Sequence, residues 1–211
     1  MTRTRLALVA AMALVAASCA DLKVQVQYAP DAKIEKLAAG APVTVFRFAD
    51  ARGNEGDKGD SYRVGGVYNG YGMRLAKILH PTPWPEMLVR DLGAGFTQRG
   101  VQAVVVDDRL YAPGSAVSTP LVVTGEIRNF STENRWAGYL AHVSGVVRLY
   151  DQSGAKLIEK PVSARLRPDD EEVQLSDARL LLERLLNRAV SEFVRQVVTD
   201  PDLTQRLVAA R

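Results

Sequence analysis

"YLAHVSGVVRLYDQSGAKLIEKPVSARL", Tyr139 to Leu166, holds two strand-like runs closed by a turn. In Tyr139–Tyr150, Ala141, Val143 and Val147 share one face at period two, while Leu140, His142, Ser144, Val146 and Arg148 share the other. Lys156–Leu166 is the second run. Between them "DQSG", Asp151–Gly154, supplies the polar residues and the glycine of a tight hairpin connection. A third strand, Leu121–Phe130, precedes the pair.

Working outward, "SDARLLLERLLNRAVSEFVRQVV" predicts the best helix of the chain. Ala178, Leu182, Leu185, Ala189, Phe193 and Val197 form an apolar stripe, with Arg184, Arg188, Ser191 and Arg195 on the opposing face. It stops at Asp200-Pro201, and "DLTQRLVAAR" predicts a short terminal helix. Upstream, "VTVFRF" (Val43–Phe48) is rich in β-branched and aromatic residues and predicts a strand. Residues 62–79, with four glycines among tyrosines and valines, fit either a hairpin with bulges or a strand leading into a turn. Pro83 and Pro85 suit the first turn of a helix, Leu88, Leu92 and Phe96 recur every four residues, and Gly100 supplies its stop. "VQAVVVDD" (Val101–Asp108) then reads as a buried strand. The order β–α–β–β–β–β–α predicts an α+β sandwich: a mainly antiparallel sheet of four to six strands with two main helices packed on one face.

The first residues have a different character. Arg3 and Arg5 precede twelve apolar residues, Leu6–Ala17, and then Ser18 and Cys19, the only cysteine. A charged start, a short apolar run and small residues describe a secretory signal, and the run is too short to span a bilayer as a helix. "AASC" resembles a lipobox, with Ala16 where leucine is commoner. That resemblance implies cleavage after residue 18 and acylation of Cys19, so that acyl chains on Cys19 hold the chain to a membrane. A plain signal with a coincidental cysteine and an uncleaved anchor are the alternatives. Ala20, rather than an aspartate, directly follows the cysteine, which in the enterobacterial sorting rule favours the outer membrane. The chain thus divides into a signal (1–18), a lipidated N-terminus and tether (19–42) and one periplasmic domain (43–211). Within the second part, "LKVQVQY" alternates as a short strand or an extended tether.

Composition excludes some classes. Of 27 basic residues two lie in the signal, leaving 25 against 24 acids. A near-neutral chain with scattered charge lacks the footprint of a nucleic-acid binder. No second apolar run approaches a membrane span.

Several features together resemble the YajG-type bacterial lipoproteins and, more loosely, the auxiliary lipoproteins of envelope ABC transporters. They are the lipobox at Cys19, "VTVFRFADAR" with Asp50 and Arg52, the helix ending in Gly100, "LVVTGEIRNF", the hairpin over "YDQSGAKL", and the last helix running into "DPDLTQRLVAAR". The resemblance spans Val43 to Arg211 plus the signal, and the long stretch Gly53–Gly72 departs from it. It implies an outer-membrane-anchored periplasmic domain without enzymatic activity.

Sites of chemistry are sparse. "DARGNEGDKGD" offers Asp50, Asn54, Glu55, Asp57 and Asp60 as oxygen ligands, but Arg52 stands where a calcium loop needs one, so a solvated turn is expected, with Asp50 and Arg52 as an ion pair or cap. "GGVYNGYG" lacks the Gly-Lys-Ser/Thr of a phosphate loop. His80 and His142 have no cysteine partner and no metal spacing. No nucleophile motif appears. Neither metal nor cofactor is therefore expected, and the chain reads as no enzyme. The acids Asp169–Glu172 read as solvated charge ahead of the last helix. What remains is a possible interaction surface: Tyr62, Tyr68 and Tyr71, whose rings give rigid amphipathic area, and Trp136 in "NFSTENRW". The expected function is a lipid-anchored envelope interaction or assembly module with an unknown protein partner. A lipid- or ligand-handling auxiliary subunit of an envelope ABC transporter, with a groove lined by Tyr62, Tyr71 and Trp136, is the alternative.

Overall fold

The long strand β7, Leu121–Arg135, is the spine on which the other strands assemble. The computed structural model describes residues 21–26, 28–29, 34–53, 59–135, 138–168 and 177–210. In chain order the elements are β1 (Leu22–Lys23), β2 (Val43–Arg47), β3 (Ala49–Asp50), β4 (Arg63–Tyr68), β5 (Arg74–Leu79), α1 (Trp84–Gln98), β6 (Ala103–Leu110), β7, β8 (Gly138–Asp151), β9 (Lys156–Leu166), α2 (Ala178–Val198) and α3 (Pro201–Ala209).

On one side of β7 lies the hairpin read from the sequence. β7 pairs antiparallel with β8 along its length, from Leu121↔Asp151 to Arg135↔Gly138, and β8 pairs antiparallel with β9. Asp151 closes the β8–β9 turn, its Oδ1 accepting from Ser153 N at 2.9 Å and Ala155 N at 3.0 Å. On the other side of β7 three short strands follow one another, all parallel to it. β2 pairs Val43–Val45 with Leu121–Val123, β3 pairs with Glu126 and Ile127, and β4 sets Gly65–Val67 beside Thr132–Asn134. Beyond β2 lies β6, parallel; beyond β4 lie β5, antiparallel, and β1, parallel to β5.

The fold is α+β, but the sheet corrects the expected one: among the described residues it has nine strands and is mixed, while the two main helices are followed by the short terminal helix α3. Two causes account for the difference. The glycine-rich stretch is a full hairpin, β4–β5, with irregular register at Arg63/Gly65 and Val67/Tyr68. The neighbours of β2, moreover, are reached by crossovers. The connection from β2 to β6 runs through α1, and that from β6 to β7 passes β2, so both pairings are parallel. Period-two alternation reports a strand's faces and carries no information about which strand sits beside it. "VQAVVVDD" is corrected for the same reason. β6 is an edge strand with Val104 and Val105 more than one-third exposed, not a buried one.

The helices share one face. α1 begins with Trp84 and Pro85 and ends with Gly100 at φ 85°, where Val101 N donates to Phe96 O at 2.9 Å. Asp177 caps α2 through Arg179 N at 2.8 Å. Leu182, Leu185, Ala189, Phe193 and Val197 of the expected stripe are buried and join Leu88, Leu92 and Phe96 of α1 in one core. A fully buried side chain of this size contributes about 1.5–3 kcal/mol. The described residues ahead of β2 pack on this body: Val24, Val26, Ile34 and Ala41 are buried in the same core. On the opposite face, β7, β8 and β9 carry an ion ladder in which Arg148 bridges Glu126 and Glu159, flanked by Arg128 and Lys156. Hydrogen bonds from Lys156, then Arg148, hold the Glu159 carboxyl down to about 2. No helix among the described residues is long and apolar enough to cross a membrane.

Candidate functional site

The tyrosine-bearing hairpin β4–β5 is where the expected interaction residues meet the structure. Its root is built by Arg52. This guanidinium is buried at 5% exposure and bonded twice to Asp50, Nε to Oδ1 and Nη2 to Oδ2, both at 2.9 Å. Nη1 also donates to Arg63 O at 2.9 Å and Nη2 to Asp60 O at 3.1 Å, so one side chain ties the end of β3 to the start of β4. Its guanidinium carbon lies 5.0 Å over the Trp84 ring, which stacks in turn on Phe130. Burial by itself would raise the Asp50 carboxyl; the hydrogen bonds and charge of Arg52 outweigh it and hold the group below its usual range.

Gly65 lets β4 approach β7. A Cβ there would stand 1.8 Å from Thr132 O, a backbone atom that cannot step aside. The turn at the far end is held locally. Asn69 Oδ1 accepts from Tyr71 N at 3.0 Å and Met73 N at 2.9 Å, and Gly72 takes φ 80°, which favours glycine. The tip then projects: Tyr71 is 91% exposed, Met73 61% and Leu75 50%. Tyr62, at the root, is half exposed, and Tyr68 is partly buried where β4 ends. The structure therefore places Tyr62, Tyr68 and Tyr71 on or beside one hairpin. Trp136 and Cys19 lie outside the described residues. Met73 and Leu75 were missed by sequence reasoning; the signal was their spacing around Tyr71 in "YGMRL", two apolar side chains in a turn with a single charge.

The strand start β1 lies against this hairpin. Leu22 pairs with Ile78 and Lys23 with Leu79, and Lys77 N donates to Asp21 Oδ1 at 3.2 Å.

Other candidates are engaged separately. His80 Nδ1 sits 2.7 Å from Thr82 O. His142 Nε2 lies 3.2 Å from Ser163 Oγ, and burial, then the charge of Arg165, lowers its pKa. Asp60 is paired with Lys77 at 3.2 Å, while Asn54, Glu55 and Asp57 of the acidic loop lie outside the described residues, as does the run Asp169–Glu172. Among the described residues no three His, Cys, Asp or Glu side chains cluster to hold a metal ion. One titratable group went unread. Asp91, on α1 one residue before Leu92, has Oδ2 buried without a partner, and burial pushes its carboxyl up to about 7. Its signal was an acid at the i+3 position from Leu88 and i−1 from Leu92, on the apolar side of a helix.

An open groove of about 640 Å³ runs between β9 and α2, walled by Ser163, Arg165, Asn187, Arg188 and Ser191. Tyr62 and Tyr71 are not among its walls, so the expected tyrosine-lined groove is not this one.

No family model matches the chain, and no curated protein aligns with it. Solved structures do resemble it. A protein from Xanthomonas campestris described by the family model DUF330 superposes with a TM-score of 0.60 at 14% identity, over 89% of this chain and 97% of its own. A second, uncharacterized protein superposes with a TM-score of 0.52 at 16% identity, over 83% and 97%. These likenesses show a shared fold. The lipoprotein GNA1162 from Neisseria meningitidis is more remote, with a TM-score of 0.32 at 16% identity over 76% and 99%.

Proposed function

We propose that the chain is a non-enzymatic lipoprotein of the bacterial envelope, acylated on Cys19, held at the outer membrane facing the periplasm, and serving there as an interaction or assembly module. This is the role that the YajG-type resemblance implies. The observation that carries it is the join between sequence and fold. The charged, apolar and small-residue segment ends in Cys19, and Asp21, only two residues later, already bonds to the folded body through Lys77 N. Whatever the acyl groups hold, they hold the body itself. The β4–β5 hairpin, with Tyr62, Tyr68 and Tyr71, is the interaction surface.

Radiolabelled palmitate tests the anchor: the wild-type chain takes up label and Cys19→Ala does not. Equal labelling of the two, or none in the wild type, removes the reading. Crosslinking in intact envelopes from an unnatural photoreactive residue at Tyr62 then tests the module, the expected result being a discrete adduct.

The groove between β9 and α2 favours a second reading, an auxiliary subunit that handles lipid or another ligand for an envelope ABC transporter. Mass spectrometry of extracts from the purified chain checks it. A stoichiometric co-purified lipid supports that role, and its absence sets it aside.

A further inference from the structure

We propose that the tip of the β4–β5 hairpin, Tyr71 to Leu75, is a second membrane contact that rests on the same leaflet as the acyl groups and sets the tilt of the domain. This rests on the anchor reading above and names the partner of that hairpin as a lipid surface.

The argument begins with register. β1 runs parallel to β5, with Leu22 opposite Ile78 and Lys23 opposite Leu79. Each step back along β1 is therefore a step back along β5, toward Arg74 and the tip. Asp21 continues that register, accepting from Lys77 N at 3.2 Å. Cys19 lies two residues ahead of Asp21, a reach of at most about 7 Å. From Lys77 to Met73 is four residues of strand, about 13 Å. An anchor on Cys19 thus holds to the membrane the corner of the sheet from which the tip projects.

The second observation is independent of the first. Tyr71, Met73 and Leu75 are among the most exposed large apolar side chains described, and they occur together in the turn and at the start of β5. The segment Asn69–Leu75 carries one charge, Arg74, and no carboxylate. That composition suits a bilayer interface: a tyrosine at headgroup depth, two apolar side chains below it, and an arginine whose stem lies along the apolar surface with its head among phosphates. The far end of the molecule differs. The β8–β9 turn lies opposite Leu121, at the other end of β7, and carries Asp151, Gln152 and Ser153.

Acyl chains on one residue leave a domain able to swing about that point. A second contact about two nanometres or less away along β5 fixes its orientation.

The experiment uses the full chain, acylated in a Gram-negative host and reconstituted in vesicles of phosphatidylethanolamine and phosphatidylglycerol. The chain's only cysteine is the acylated one, so Tyr71→Cys, Met73→Cys or Gln152→Cys each takes a single environment-sensitive fluorophore. Palmitate incorporation is measured on the same preparations. Probes at 71 and 73 are expected to shift emission to shorter wavelength and to be quenched by lipid-borne quenchers, with the probe at 152 unaffected. A palmitate-labelled chain whose probes at 71 and 73 stay in water overturns this proposal and leaves the anchor standing. Probes shielded from water yet untouched by lipid quenchers mean a protein on the tip, and overturn it too. A chain without label removes the anchor and this proposal together.

Discussion

The two ends of the β4–β5 hairpin are built in opposite ways. At the root, Arg63 and Val64 are buried, Gly65 admits the backbone of β7, and Arg52 ties three segments together through four hydrogen bonds to Asp50, Arg63 and Asp60. At the tip, Tyr71 and Met73 lie in solvent, and the turn is stabilised by its own Asn69. Exposed apolar side chains gain nothing from folding, because folding does not remove them from water. The root is fixed by buried contacts, and the tip leaves apolar surface that the fold itself does not cover. β9 makes the contrast sharper. It is also at an edge, but it carries Lys156, Glu159, Lys160 and Arg165 with Pro161 among them, the means by which edges are kept from pairing.

Breaking the root has the largest expected effect. Arg52→Ala takes the guanidinium from the Asp50 carboxylate and from the carbonyls of Arg63 and Asp60, leaving Asp50 the backbone N–H of residue 52 and Asp60 O that of Arg63. Loss of one partner of such a pair costs about 3–5 kcal/mol. Urea unfolding should show that loss, and amide exchange should speed first in β4. A variant as stable as wild type would make the root ornamental and dissolve the contrast.

Gly65→Ala is the next largest. Its Cβ would overlap Thr132 O, so β4 must move away from β7, at about 3 kcal/mol. Gly70→Ala, five residues further along the same hairpin with nothing within 4 Å of the added carbon, is the internal control and should change stability little. The pair separates root from tip with one methyl group each.

How much of this was legible in the sequence follows from the kind of contact involved. β8, β9 and their turn declared themselves because an antiparallel hairpin is local: alternation and "DQSG" sit within 28 consecutive residues, and β9 runs over Lys156–Leu166 as read. The helices did so through their stripes and caps. The parallel pairings of β2, β3 and β4 with β7 join residues more than 60 positions apart, and no local pattern records them. Three successive valines in β6 looked like burial, yet burial there depends on whether another strand follows beyond it, and none among those described does. Tyr62, Tyr68 and Tyr71 stand out in the sequence because their chemistry is intrinsic. Their common hairpin, and the chain start lying beside it, depend on register and do not.

A smaller effect separates the body from the hairpin by pH. The Asp91 carboxyl is raised by burial to about 7, above the 3.8 of an exposed aspartate. Between those values the folded chain keeps a proton that the unfolded chain releases, so this group's contribution falls as pH rises through the window and is flat above it. His142, lowered by burial, acts in the opposite sense near the top of the same range, so the variant must be read against wild type. Asp91→Asn should be more stable than wild type by about 2 kcal/mol at pH 8, with the gap closing toward pH 4. Thermal melts across that range check it. A gap that does not change with pH means that Asp91 is not the buried acid its surroundings make it.

The smallest effect on stability belongs to the tip, and it is the most discriminating. Tyr71→Ser removes a ring that is almost wholly in water, so unfolding should move by no more than about 0.5 kcal/mol, the range of ordinary surface changes. A larger loss would mean that the ring packs on its own chain, which would return the tip to the fold and end its contrast with the root. A neutral result leaves the exposure of Tyr71 without an explanation inside the molecule. The fold then does not need the ring, and lipid quenching of a probe at position 71 decides whether the tip meets a membrane.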